Sequence, residues 1–82
     1  MTKLEKKLIE LGYELDYEDE IGTIYTKKMS FFETLIITII KNHNPTGYVW
    51  TETRAYCKQD YIDNLQQAFN QLQNDLKELK EC

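Results

Sequence analysis

The apolar positions of this chain change period twice, and the changes divide it into a helix, a run of strands and a second helix. Leu4, Leu8 and Leu11 recur at spacings of four and three, which forms one stripe on a helix. Thr2 stands just ahead of the stripe and Glu5 follows three residues later. That is the capping-box spacing, in which each side chain satisfies an amide of the first turn. Gly12 falls where a residue of positive φ commonly ends a helix, and Tyr13 is placed to pack back on Leu8. The pattern predicts a helix over about residues 3–11.

From Tyr13 the period becomes two: Tyr13, Leu15 and Tyr17 lie on one side, Glu14 and Asp16 on the other. Glu18, Asp19, Glu20 and Gly22 then make a turn. Thr23 to Lys28, rich in β-branched and aromatic residues, forms a second strand. Phe31 to Lys41 is the most apolar stretch, with Leu35, Ile37 and Ile39 pointing one way and Ile36 and Ile40 the other. A strand apolar on both sides is normally covered twice, so either a helix packs on each face or the outer face meets another molecule. Asn42 to Gly47 collects nearly every turn-forming residue type. A fourth strand is expected over 48–57. Burying Tyr48, Trp50, Glu52, Arg54 and Tyr56 would bury two charges, so Val49, Thr51, Thr53, Ala55 and Cys57 are expected to face the helices.

The closing segment is the most regular. Ile62, Leu65, Phe69, Leu72, Leu76 and Leu79 are spaced alternately by three and four, and no Gly or Pro interrupts residues 60–80. With Asp60 as N-cap and Asp63 in the first turn, this predicts a helix of about 20 residues and about 30 Å. It outruns the strands, so Leu76 and Leu79 are expected to overhang unless a partner covers them. The seam packs lengthwise on the sheet or, in part, pairs with a second subunit. On the second reading Leu72, Leu76 and Leu79 are the candidate self-association residues, with Asp75 and Lys80 at the spacing of an inter-chain ion pair. The fold class expected is α+β, one domain over residues 1–82. An α-β-β-β-β-α antiparallel meander of three or four strands is covered by a short N-terminal and a long C-terminal helix.

Composition narrows what such a domain does. The net charge is −4, against a general duplex-DNA binder, which draws its affinity from neutralising phosphates. The charge is unevenly laid out: −4 over residues 1–22, +3 over 23–58 and −3 over 59–82. The longest apolar run, Leu35 to Ile40, is too short to span a bilayer. No apolar stretch of signal-peptide length follows the charged N-terminus, so a soluble, cytoplasmic protein is expected. Cys57 and Cys82 are the only cysteines, one in a strand and one at the last position, and no structural disulfide is expected.

No catalytic, metal or cofactor site emerges. His43 is the only histidine and lies in a turn, and nothing in the strand of Cys57 supplies a base. Glu14, Asp16, Glu18, Asp19 and Glu20 form a dense acidic cluster. It fails as a calcium loop: counting from Asp16, the required Gly is Ile21 and the closing Glu is Lys27. Two readings stand: a solvated strand edge whose charges discourage aggregation, or a docking patch for a basic protein. The outer sheet face offers Tyr48, Trp50, Arg54 and Tyr56, with Lys27 and Lys28 expected nearby. Aromatics interleaved with cations stack single-stranded nucleic acid, but cross-strand aromatics also stabilise any exposed sheet.

The opening Lys3-Leu4-Glu5-Lys6-Lys7-Leu8-Ile9-Glu10-Leu11-Gly12-Tyr13 and the closing Tyr61-Ile62-Asp63-Asn64-Leu65-Gln66-Gln67-Ala68 resemble, in style, small accessory proteins encoded in prophages and phages of Gram-positive bacteria. The resemblance implies a factor that modifies a host or phage machine by binding it, and brings no catalytic residues. The expectation is therefore a non-enzymatic protein–protein interaction module with an unknown protein partner. A homodimer through the C-terminal helix or the outer sheet face is a further expectation. The alternative is a weak single-stranded nucleic-acid binder using the outer sheet face.

Overall fold

The computed structural model describes residues 2–30, 33–51 and 58–81, with side chains of the last segment from residue 62. Helix α1 (Lys3–Glu10) is followed by strands β1 (Glu14–Glu18), β2 (Gly22–Lys28), β3 (Glu33–Ile40) and β4 (Thr46–Thr51), and by helix α2 (Lys58–Lys80). The strands form one antiparallel sheet in the order β1-β2-β3-β4, the meander that short connections dictate.

Local signals set α1. The Thr2 hydroxyl accepts the Glu5 amide at 3.1 Å, and its own proton goes to the Glu5 carboxylate at 3.2 Å. At the other end Gly12 has φ +98°, the Gly12 amide donates to the Ile9 carbonyl, and the Tyr13 amide donates to the Leu8 carbonyl at 2.9 Å. This is the predicted Schellman ending, and it delivers Tyr13 into the core, 2% exposed.

Register sorts the sheet into two faces, because opposed residues of an antiparallel pair share a side. Tyr25 opposes Ile37, Lys27 opposes Leu35, and Leu35 opposes Val49, so these face inward. Against them pack Leu4, Leu8 and Leu11 of α1 and its end, and Ala68, Leu72, Leu76 and Leu79 of α2. Both helices therefore cover the same face. Of the two covers open to the apolar strand β3, a helix on each side is not the one found.

Four expectations change. In β1 the register shifts between Leu15 and Tyr17, so Asp16 is an extra residue. Beyond this bulge Tyr17 opposes Ile24 on the outer face and no longer follows Tyr13 and Leu15. In α2 the helix begins at Lys58, two residues before the expected Asp60 cap, since an acid suits the first helical turn as well as the cap. The buried line of α2 is Ala68, Leu72, Asp75 and Leu79, rotated from the expected seam, and Phe69 is 49% exposed. Leu76 and Leu79 do not overhang: Leu79 is 3% exposed, Leu76 packs against the core, and Leu4 of α1 shares a hollow with Leu79. The uncovered part of the seam is at its other end, at Ile62 and Phe69.

Candidate functional site

The outer face of the sheet carries no layer among the described residues. Glu14, Thr26, Ile36 and Tyr48 form one cross-strand row, Tyr17, Ile24, Thr38 and Thr46 a second, and Lys28, Thr34 and Trp50 a third. Tyr17, Ile40, Tyr48 and Trp50 are all exposed. Ile24 and Ile36 are half-buried by their neighbours alone. The result is a flat field of Ile, Thr, Tyr and Trp with one lysine and one glutamate on its strands. Of the predicted outer-face set, Tyr48 and Trp50 are on this face as expected, while Arg54 and Tyr56 lie outside the described residues, as does the rest of the predicted strand, 52–57. Lys27 is not on this face: its place opposite Leu35 turns it inward.

A second surface lies where β4 closes the sheet. Among the described residues β4 pairs with β3 alone, and beside it a groove of about 420 Å³ is lined by Gly47, Tyr48 and Val49 from β4 and by Ile62, Leu65 and Phe69 from α2. Gly47 makes this approach of helix to strand feasible. A Cβ there would lie 2.8 Å from Leu72 Cδ1 and 3.2 Å from the Ile36 carbonyl oxygen. Among the described residues β4 is the last strand, and none lies beneath the part of α2 beyond Leu72 toward its N-terminus. That leaves Ile62 46% and Phe69 49% exposed. The chemistry here is uniform. No residue from Thr46 to Thr51 or from Asn64 to Asn74 is charged, in a chain that is 29% charged. The helix surface instead carries side-chain amides, such as the Gln66 to Asn70 hydrogen bond at 3.0 Å.

The third feature is buried and was missed by sequence reasoning. Asp75, 1% exposed, accepts the Tyr13 hydroxyl at 2.8 Å and the Lys27 ammonium at 2.9 Å on Oδ2, and the Gln71 amide at 2.9 Å on Oδ1. Lys27 also donates to the Leu11 carbonyl at 2.9 Å and lies 4.9 Å from the centre of the Tyr13 ring. Asp75 is thus consumed within the chain and is not the inter-chain partner of Lys80. Burial, then the hydrogen bond to Asp75 and its charge, push the Tyr13 phenol far above its usual range. A phenol so strongly held in its neutral form is no general base, and the network acts as a clamp joining α2, β2 and the end of α1. Leu72 and Leu79, candidates for self-association, lie in the same core, and Leu76 packs at its margin.

The acidic cluster is not a converged site. Glu14 shares the outer face with Thr26, Asp16 occupies the bulge, and Glu18 opposes the inward Thr23. All five acids are exposed. Asp19 has a local role in the chain's own architecture. Its Oδ1 accepts the Ile21 amide at 2.8 Å and the Gly22 amide at 3.0 Å, building the β1–β2 turn. The Gly22 amide, then that of Ile21, draw its carboxyl below the ordinary range. Among the described residues no group of three or more His, Cys, Asp or Glu could hold a metal ion, and no helix is long and apolar enough to cross a membrane. His43 is an exposed turn residue, while Cys57 and Cys82 lie outside the described residues. No protein-family model, curated protein or solved structure matches the chain.

Proposed function

We propose that this chain is a non-enzymatic protein–protein interaction module, an accessory factor that works by binding, and that its partner docks on the open sheet face. The observation that carries the reading is the uncovered outer face of β2, β3 and β4. Ile24, Ile36, Ile40, Tyr48 and Trp50 stand there without a covering layer among the described residues. Contiguous apolar surface of this kind costs solubility and marks interaction sites in small domains. The inner face illustrates the cover such a sheet takes, an amphipathic helix laid across it, and a partner helix of that type is the complementary shape.

The test compares capture by three forms of the chain. The wild type and a Glu18→Gln, Asp19→Asn, Glu20→Gln variant should retain the same partner, whereas Ile36→Lys with Tyr48→Lys should lose it with folding unchanged. Loss with the acidic variant alone would move the site to the β1–β2 turn and overturn the assignment.

The nucleic-acid alternative keeps Trp50, Tyr48 and Lys28 on one face but not Lys27, and Glu14 stands in the row of Tyr48. An unchanged Trp50 emission on adding single-stranded oligonucleotide at low salt would remove it; a salt-dependent quench would revive it.

A further inference from the structure

We propose that β4 and the adjoining half of α2 form a homodimer interface. Two copies pair β4 with β4 antiparallel about a two-fold axis, joining their sheets into one of eight strands. The inference rests on the edge and its groove; it shares Tyr48 and Trp50 with the open-face reading above but does not use Ile24, Ile36 or Ile40, so Ile36→Lys separates the two.

Backbone chemistry supplies the first argument. An edge strand presents a row of N–H and C=O groups, and the same strand run antiparallel presents the matching row, so a two-fold axis through the edge is self-complementary. β4 carries no bulge in its register with β3 and no charge or proline within its span to deter such pairing. Side-chain alternation then restricts the register. Outward residues must meet outward residues, so the axis passes through a residue position and not between two. With the axis at Val49, Tyr48 opposes Trp50 of the partner subunit, and the reverse pair repeats it. These are two aromatic cross-strand pairs on the outer face, a favoured arrangement in sheets.

Charge singles out a second copy among protein partners. Each copy carries −4, so two copies repel at most orientations. Along the edge and its groove, Thr46 to Thr51 and Asn64 to Asn74 bring no like charges together, and Asp63 beside Ile62 is the nearest acid in sequence. The acids of β1 and its turn lie at the opposite edge of the sheet. A basic partner would find no acid in this groove.

Area is the third argument. Tyr48, Trp50, Phe69 and Ile62 are each about half exposed. For the three aromatics, which bury about 150–250 Å² when fully covered, this leaves on the order of 100 Å² each, and for Ile62 somewhat less. Counted on both subunits, these four supply on the order of 800 Å², roughly half of a standard interface of about 1,600 Å². The main-chain edge, Val49, Leu65 and Gln66 add to it. In the paired sheet the two α2 helices flank the axis on the inner side, where Phe69 and Ile62 meet their counterparts.

Sedimentation of the full chain from low to high micromolar concentration is expected to show twice the monomer mass, tightening as salt screens the net charge. Amide exchange in residues 46–51 should slow as concentration rises. Phe69→Glu, on an exposed helix position, should weaken the dimer by at least about tenfold with an unchanged circular dichroism spectrum and urea midpoint. Ile36→Lys, on the open face, should leave it intact. A monomeric mass at high micromolar concentration would overturn the inference. So would a dimer indifferent to Phe69→Glu, one lost with Ile36→Lys, or one whose β4 amides exchange at the monomer rate.

Discussion

Strand β1 closes one edge of the sheet with Glu14, Asp16 and Glu18 and a bulge at Asp16. β4 closes the other with Thr46, Gly47, Tyr48, Val49, Trp50 and Thr51, uncharged and in unbroken register with β3. All five residues of β1 are exposed, and a strand approaching it meets three carboxylates and a kinked backbone. Those are two of the devices by which sheets block edge-to-edge pairing. β4 has neither within its span, and has an apolar groove along its flank instead. Among the described residues the two edges are thus opposite in chemistry, one charged and bulged, the other uncharged and in regular register. The anchoring of α2 follows the same division. Toward β2 and the start of β1 it is held by a buried ionic cluster, and toward β4 by Leu72 seated over Gly47.

Cutting the polar anchor should have the largest effect. Asp75→Ala removes the one acceptor shared by Tyr13, Lys27 and Gln71 and leaves the Lys27 ammonium, 16% exposed, without its carboxylate. Breaking a buried pair from one side typically costs about 3–5 kcal/mol. That is comparable with the whole stability of about 3–5 kcal/mol that a core of this size supplies. The variant should be largely unfolded by circular dichroism. Adding Lys27→Met to Asp75→Leu should restore most of the urea midpoint, because it removes both charges together. If Asp75→Ala unfolds with a midpoint near the wild type, the cluster is not the anchor of the β1 side.

The apolar anchor should cost less. Gly47→Val places a side chain against Leu72 Cδ1 and the Ile36 carbonyl, and overpacking of this type costs about 1–3 kcal/mol. Its mark should be local: faster amide exchange in the first half of α2, with β1 and β2 unchanged. A uniform loss of protection would show that the two sides of α2 are not separately held.

Exchanging the chemistry of the two edges sharpens the comparison without unfolding the chain. Trp50→Glu brings to β4 the negative charge that β1 already has, at a site 53% exposed. It should reduce any β4-mediated association by at least about tenfold while moving stability by no more than about 0.5 kcal/mol. Glu14→Gln, Asp16→Asn and Glu18→Gln together should raise light scattering on concentration, since the bulge alone would then guard that edge. Equal scattering by the triple variant and the wild type would assign the protection of β1 to the bulge.

What was legible in the sequence was local. The capping pair Thr2 and Glu5, the turn at Gly12 and Tyr13, the alternation of Tyr48 to Thr51 and the length of the last helix each depend on neighbours within a turn or a strand, and the α+β meander follows from them. The bulge at Asp16 was invisible because strict alternation in sequence does not reveal an extra residue in the pairing. From the sequence Asp75 is a flanking position spaced to pair with Lys80 across two chains, and its actual partners Tyr13 and Lys27 are 62 and 48 residues away. Its burial rotates the helix, brings Ala68 inward and turns Phe69 outward. The groove beside β4 was hidden for a similar reason. It follows from strand order, since among the described residues β4 pairs with β3 alone, and no window of residues reports that.

The last test examines the β1 side through pH, and its sign is set by Tyr13. The phenol is raised above its ordinary value of 10.0, chiefly by burial and then by Asp75. The unfolded chain therefore releases this proton near pH 10 and the folded chain does not. The stabilisation is fully present below pH 10 and is lost above it, at about 1.4 kcal/mol for each further pH unit from this one group. Tyr13→Phe removes that dependence and leaves Asp75 its bonds to Lys27 and Gln71, at a cost near neutral pH of about 1 kcal/mol for the lost hydrogen bond. The expected pair of curves has the wild type more stable at pH 7 and the two converging above pH 10. Tyrosinate absorbance should track it: burial also raises Tyr25, so the difference between wild type and Tyr13→Phe, and not the wild-type curve alone, reports Tyr13, whose ionisation should come only as the chain unfolds. If the wild type and Tyr13→Phe differ by one tyrosine ionising below the unfolding transition, Tyr13 is not sealed by Asp75. The β1 side would then be held as loosely to α2 as the β4 side is.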